Sequence, residues 1–289
     1  MRFRVKEIDL FEREVTLRLP FRFGVVTLTR APQAFVRATI ELENGKSGTG
    51  AAAELLAPKW FDKSPELSNE ENFAQLRASL QLAQASYLAG EANTAFGHSM
   101  DQYAPQIAIG ALQGMNSLVA CFGPAVIDRA LLDALGRTLN LGFFEMMKKN
   151  LPGITAPGWQ ADLMAFDMEE YVYGLAPRGE IAARHTVGLV DAITAADLKQ
   201  PAGDGLPETL EQVVERYGHR WFKLKVGGDV KADLERLAAI ASVLDRIPQG
   251  YQATLDGNEQ FSGAEPVLVL WRAIRAGPRL KRLASAVAW

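Results

Sequence analysis

The chain has 289 residues, 48% of them apolar, with 31 basic residues against 34 acidic ones and a formal charge of −3. It can bury one or two sizeable cores, and it carries no positive excess that would gather nucleic acid or coat an anionic membrane. A lone cysteine, Cys121, offers neither an intramolecular disulfide nor a CxxC metal knuckle, which points to a reducing compartment, by default the cytoplasm.

The opening run MRFRVKEIDLFERE has a charge at nearly every second position, and no stretch reaches the roughly 18 apolar residues of a membrane span, so neither a signal peptide nor a membrane helix is expected. RFRVKEIDLF and AFVRATIELE alternate as strands do. Asn44-Gly45 then supplies a tight hairpin into SGTGAAAELL, so the first sixty residues predict a three-stranded antiparallel sheet. Ser68-x-x-Glu71 is a capping box opening a helix to about Gly90, and helical patterns cover Tyr103 to Ser117 and Ala125 to Leu139. From about Glu180 strands and helices alternate, the signature of βαβ units on a parallel sheet. Strands are expected at IAARHTVGLVD, WFKLKV and YQATLD, and helices at Leu206 to Tyr217, Val230 to Arg246 and about Ala264 to Ala276. Leu234, Leu237, Ala241 and Leu244 make one apolar stripe on the middle helix. The chain divides by this reading into residues 1–150, a connecting segment 151–179, and 180–289.

Side chains alternate across a strand, so Trp221, Lys223 and Lys225 share one face while Phe222, Leu224 and Val226 share the other. On a half-exposed sheet the lysines would simply face water. Between amphipathic helices, however, a parallel strand is covered on both sides, and something must then accommodate two inward ammonium groups. Asp256 closes the next strand as Lys225 closes its own, at the C-terminal rim where α/β barrels carry out chemistry. Asp256-Gly257-Asn258 also reads as a plain turn.

FKLKVGGDVKADLERLAAI, ATLDGNEQF, the upstream ARHTVGLVD and the N-terminal PFRFG with its sheet and hairpin together resemble the enolase superfamily, on the side of mandelate racemase and muconate-lactonising enzyme. The resemblance implies an α+β capping domain followed by an incomplete (β/α) TIM-type barrel. It also implies a side-chain base that removes the proton α to a carboxylate, and Mg²⁺ to stabilise the enediolate. Carried over residue by residue, Lys225 matches the base and Lys223 lies beside it, lowering its pKa. Asp256 matches the first metal ligand and Asn258 the amide that contacts substrate or base. Pro20 to Val25 and a turn at Ala51 to Glu54 match specificity loops, with Arg22 placed to pair a second substrate carboxylate and Phe23 beside it; both are equally ordinary loop residues.

The family takes three carboxylates for its metal, from the third, fourth and fifth barrel strands, and this sequence supplies the first alone. LASAVAW stands where the fourth strand would begin. Glu259 and Glu265 follow the third strand too closely to replace the others. The expectation is therefore a C-terminally truncated chain, weakly active or inactive, acting on a small carboxylate and on neither nucleic acid nor membrane. The alternative is a non-catalytic remnant serving as a binding or assembly module. Unpaired barrel edges with apolar inner faces would favour a homo-oligomer. The basic residues from Arg272 to Arg282 read either as a docking tail or as the solvated face of the last helix, and His98, His185 and His219 as structural.

Overall fold

The structure is a computed structural model and describes residues 1–24, 26–156 and 161–288. The chain forms two compact units: Met1–Val15 with Ala31–Arg178, and Thr16–Arg30 with Gly179–Trp289. This grouping differs from a division at residues 150 and 180 in two ways. The far end of the first two strands joins the second unit, and the connecting segment joins the first.

Strands β1 (Phe3–Phe23), β2 (Val26–Leu42) and β3 (Ser47–Leu55) lie in that order in one sheet. β2 and β3 pair antiparallel from Gln33↔Leu55 to Glu41↔Ser47, and the turn between them places Gly45 at φ 80°, as the Asn-Gly pair demands. β1 and β2 are about twice as long as expected: Val15, Leu17, Leu19, Phe21 and Phe23 carry the apolar alternation of β1 on to its end, and Val26 and Leu28 extend β2, with Phe23 and Leu28 buried. Alternate residues of β2, Val36, Ala38, Ile40 and Leu42, are buried in one core. Against them pack Leu76, Leu80 and Tyr87 of α1 (Asn69–Ala89) and Ile127, Leu131 and Ala134 of α4 (Phe122–Leu139). Between these helices lie α2 (Ala95–Leu112) and the short α3 (Ser117–Ala120); α5 (Phe143–Lys148) and α6 (Met168–Tyr173) complete the unit. The expected capping box forms: the Ser68 hydroxyl accepts from Glu71 N and the Glu71 carboxylate accepts from Ser68 N. α2 begins eight residues before Tyr103, on the Thr94 side chain, which accepts from Gly97 N.

β3 and α4 approach closely enough that only glycine fits at position 50, where an added Cβ would lie 2.1 Å from Ala134 N and 2.5 Å from Ala130 O. Both obstacles are helix backbone, which cannot rotate away. Gly50→Ala is expected to cost about 2–3 kcal/mol, read as a lower urea midpoint at unchanged m-value; a loss below about 0.5 kcal/mol would show that the two elements separate without strain.

The second unit carries a parallel sheet in the order β4 (Arg184–Val187), β5 (Trp221–Lys225) and β6 (Gln252–Asp256). The intervening helices are α7 (Leu210–Tyr217) and α8 (Val230–Leu244), with α9 (Ala264–Ala276) and α10 (Lys281–Ala286) following. Leu210, Leu237, Ala241, Leu244, Leu270 and Ile274 of the helices share a core with Val187, Phe222, Leu224 and Ala253 of the strands. The architecture is thus an α+β capping unit followed in sequence by the βα units of an incomplete (β/α) barrel.

Three expectations need correction here. β4 covers four residues rather than the whole run 181–191: pairing ends at Val187, and the Asp191 carboxylate instead accepts from Gly188 N at 2.7 Å. LASAVAW does not start as a strand. Leu283 is buried in the helical core and α10 runs to Ala286, after which Val287 bridges Ala253 in parallel and Ala288 N donates to Ala253 O at 2.9 Å. The inner face of the sheet is not apolar either: the side opposite the helices presents Arg184, Thr186, Lys223, Lys225, Gln252, Thr254 and Asp256, with Trp221 the one large apolar side chain.

The basic residues after Glu265 are exposed. Arg272 pairs with Glu265, and Arg282 donates to the carbonyls of Asp245 and Ile247. Among the described residues no helix is long and apolar enough to cross a membrane.

Candidate functional site

β5 ends in Phe-Lys-Leu-Lys, and burial of Phe222 and Leu224 against the helices fixes where the lysines go. Lys223 lies in register with Thr254 and Lys225 with Asp256, so the parallel pairing alone brings one ammonium group to each side of a single carboxylate. Lys223 Nζ lies 2.8 Å from Asp256 Oδ2 and Lys225 Nζ 2.9 Å from the same oxygen. The other carboxylate oxygen, Oδ1, accepts from Asn258 N at 3.1 Å. Lys225 also donates to the Asn258 side-chain carbonyl. The Lys225 side chain is 2% exposed, against 23% for Lys223 and 26% for Asp256.

Burial pushes the Lys225 ammonium below its ordinary range; Asp256 pulls it back and the neighbouring Lys223 pushes it down again. Burial also works against the Asp256 anion, but the hydrogen bonds from Lys223, Lys225 and Asn258 N outweigh it and bring Asp256 down to about 2. The two directions are compatible. One carboxylate serves two cations, so it is held firmly ionised while each lysine receives only part of its compensation.

Two residues at this rim carry no signal in the sequence that separates them from ordinary polar positions. Asp233, in the first turn of α8 and 5% exposed, accepts from Gly227 N at 2.7 Å and Gly228 N at 3.0 Å, and so holds the loop that leaves Lys225. Gln260 donates from Nε2 to Asn258 O at 3.1 Å. The Thr254 hydroxyl, buried on the lysine face, has no hydrogen-bond partner.

Phe23 is buried, 5.7 Å in ring separation from Phe21, while Arg22 on the opposite side of the strand is exposed. Val25, the end of the expected specificity loop, lies outside the described residues. Ala51 to Glu54 is strand rather than turn, with Ala51 N donating to Asp133 and Glu54 paired to Arg129 at 3.0 Å. His185 stacks on His219 at 5.5 Å and meets the edge of Phe222, with burial lowering its pKa. His98 contacts the Phe3 carbonyl at 3.0 Å. A cavity of about 980 Å³ beside β4 and α7 is lined by Arg18, Asp191, Asp197 and Glu208. Each of these already serves an internal partner: Asp204, Gly188 N, Thr194 N and Ala202 N respectively.

The rim does not fit a magnesium ion. Both oxygens of Asp256 are engaged, two ammonium groups lie within 3 Å of one of them, and among the described residues no group of three or more His, Cys, Asp or Glu side chains could hold a metal.

Comparison with family models and with curated proteins finds no match. Solved structures do match. A mandelate racemase/muconate lactonizing protein from Herpetosiphon aurantiacus superposes with TM-score 0.56 at 18% identity, over 94% of this chain and 58% of that one. An enolase from Bradyrhizobium, complexed with magnesium and mandelic acid, gives 0.57 at 17% identity over 100% and 61%. A dipeptide epimerase from Methylococcus capsulatus, complexed with Mg and the dipeptide L-Arg-D-Lys, gives 0.52 at 19% over 94% and 59%. The chain thus has the fold of mandelate racemase/muconate lactonizing-type members of the enolase superfamily, and it spans about three fifths of the length of these structures.

Proposed function

We propose that Lys225 is the amine of a site that transfers the proton α to a carboxylate, as racemases, dehydratases and cycloisomerases of the mandelate racemase and muconate-lactonising type do. The observation that carries this reading is the Lys223–Asp256–Lys225 cluster at the C-terminal rim of a parallel sheet. A base must be neutral when it takes a proton, and burial of Lys225 moves it in that direction. Lys223, the more exposed ammonium, is the group that would meet the substrate carboxylate. Asn258 orients Lys225. Arg22 would meet a second substrate carboxylate and Phe23 would shape the wall beside it.

The substrate class is a small carboxylic acid, the class to which the mandelic acid and the dipeptide bound by two of the similar structures belong. The resemblance would give Asp256 to a Mg²⁺ ion, but the rim as assembled does not fit one, because Lys223, Lys225 and Asn258 N engage both carboxylate oxygens. The 289-residue chain is therefore weakly active or inactive by itself. The rival reading, a non-catalytic binding or assembly module that functions as a homo-oligomer, is favoured by the commitment of Asp256 to both lysines.

The two readings part in a titration. Lysine Nζ resonances of ¹⁵N-labelled chain are followed while mandelate, a sugar acid and a dipeptide are added. Saturable shifts at Lys223 and Lys225, lost in Lys223→Ala, are expected. Carboxylates that leave both resonances unmoved at about 10 mM, a range typical of weak site binding, would sink the site and leave the module.

A further inference from the structure

Gln260 is exposed and carries no charge, yet three elements of the second unit meet on it. Its side-chain amide donates to Asn258 O at 3.1 Å. The same amide lies against Gly24, just past the end of β1: a Cβ added to Gly24 would sit 3.3 Å from Gln260 Nε2. Its backbone carbonyl lies against the loop that follows β5, where a Cβ on Gly228 would come within 2.9 Å. Gly24 and Gly228 have φ of 49° and 89°, so at both places the chain passes Gln260 as a left-handed glycine without a side chain.

The turn that Gln260 closes is itself unfavourable. Asn258 and Glu259 have φ of 44° and 58°, two successive non-glycine residues in the left-handed region, where a Cβ crowds the following carbonyl. Such a turn persists only under outside restraint. The hydrogen bonds that restrain it are Asn258 N to Asp256 Oδ1, Gln260 N to Gly257 O, and the Gln260 side chain to Asn258 O. What the turn delivers is the Asn258 side-chain carbonyl, which accepts from Lys225.

We infer that Gln260 is a positioning residue that couples the end of the β1–β2 ribbon at Gly24 to the Lys225 ammonium, acting through Asn258. Movement of the ribbon end against the Gln260 amide loosens its bond to Asn258 O. The left-handed turn then relaxes, and Lys225 loses one of its two oxygen acceptors. The significance of the coupling rests on the proposed reading of Lys225, but its existence does not.

The test uses the full chain and reads the Lys225 Nζ resonance together with hydrogen exchange at the Asn258 amide. Gln260→Met keeps the length of the side chain and removes the donor; Gln260→Glu keeps the shape and places an acceptor opposite the Asn258 carbonyl. Both are expected to shift the Lys225 resonance and to speed Asn258 exchange about fivefold, the loss of one ordinary hydrogen bond. Gly24→Ala is expected to shift Lys225 in the wild-type background and to have little further effect in Gln260→Met, the non-additivity expected of residues that act through one another. An unmoved Lys225 resonance in both Gln260 variants would overturn the inference, as would a Gly24→Ala shift of equal size in the two backgrounds. A Lys225 that responds to Gln260 but not to added carboxylate would leave the coupling standing and remove the proposed function.

Discussion

Replacing Asp256 by alanine is expected to destabilise the second unit by about 2–4 kcal/mol, somewhat below the 3–5 kcal/mol typical of breaking a fully buried pair, because its side chain remains 26% exposed. The loss does not measure the strength of the ion pair. It reflects two ammonium groups left within about 3 Å of the same vacated position, one of them 2% exposed and unable to find water. Removing the charges together should cost much less: Lys223→Met, Lys225→Met and Asp256→Leu combined are expected to recover most of the stability. The pH dependence has a definite sign. Asp256 titrates at about 2 in the folded chain against an ordinary 3.8, so its contribution is fully present above about pH 4 and is lost as the pH falls toward 2. Urea unfolding at a series of pH values, followed by the fluorescence of Trp221 and Trp271, should show an acid limb of roughly 2 kcal/mol that is missing in Asp256→Asn. An Asp256→Ala variant as stable as the parent would mean that the lysines find other partners and that the cluster is not a unit.

Magnesium is expected to bind the 289-residue chain with a dissociation constant of roughly millimolar or weaker, and α-deuterium exchange of mandelate, sugar acids and dipeptides is expected to proceed no faster than in buffer. Mg²⁺ gives up its water reluctantly and prefers near-octahedral oxygen ligation, whereas the rim offers one carboxylate already held by two ammonium groups. The lysines oppose the cation at close range. Without a preorganised counter-charge the enediolate is unsupported, and loss of even one oxyanion donor typically costs about 10²–10³ in rate. Calorimetric titration with Mg²⁺ and proton NMR of substrate in deuterated buffer provide the measurements, with Asp256→Asn as the control. Metal-dependent exchange that the control abolishes would show that the chain assembles a complete ligand set by a route its folded rim does not display.

The order of the elements and the shared face of Lys223, Lys225 and Asp256 were legible because both depend on periodicity, whereas the barrel followed from the resemblance. Alternation in FKLK separates lysines from apolar residues, and equal strand lengths then bring Lys225 level with Asp256; no long-range information is needed beyond the parallel pairing that the βαβ pattern implies. The full length of the β1–β2 ribbon was not anticipated, although Val15, Leu17, Leu19, Phe21 and Phe23 alternate along it, because Pro20 and Gly24 suit a loop equally well. The helix that precedes Val287 was missed for a related reason: LASAVAW is short and apolar enough for either state, and burial of Leu283 in the helical core decides the matter.

What the sequence by itself determined is the order of elements, the two faces of β5, and the placing of two lysines and one carboxylate on the same side of one sheet, because strand alternation is a property of local covalent geometry. Only the tertiary structure decided that both lysines share a single carboxylate oxygen, that Asp233 holds the loop beyond Lys225, and that Gln260 meets Gly24, Gly228 and Asn258. Those contacts join residues from separate elements, some more than 200 positions apart in the chain. They depend on close approach of backbone to side chain, which periodicity does not encode.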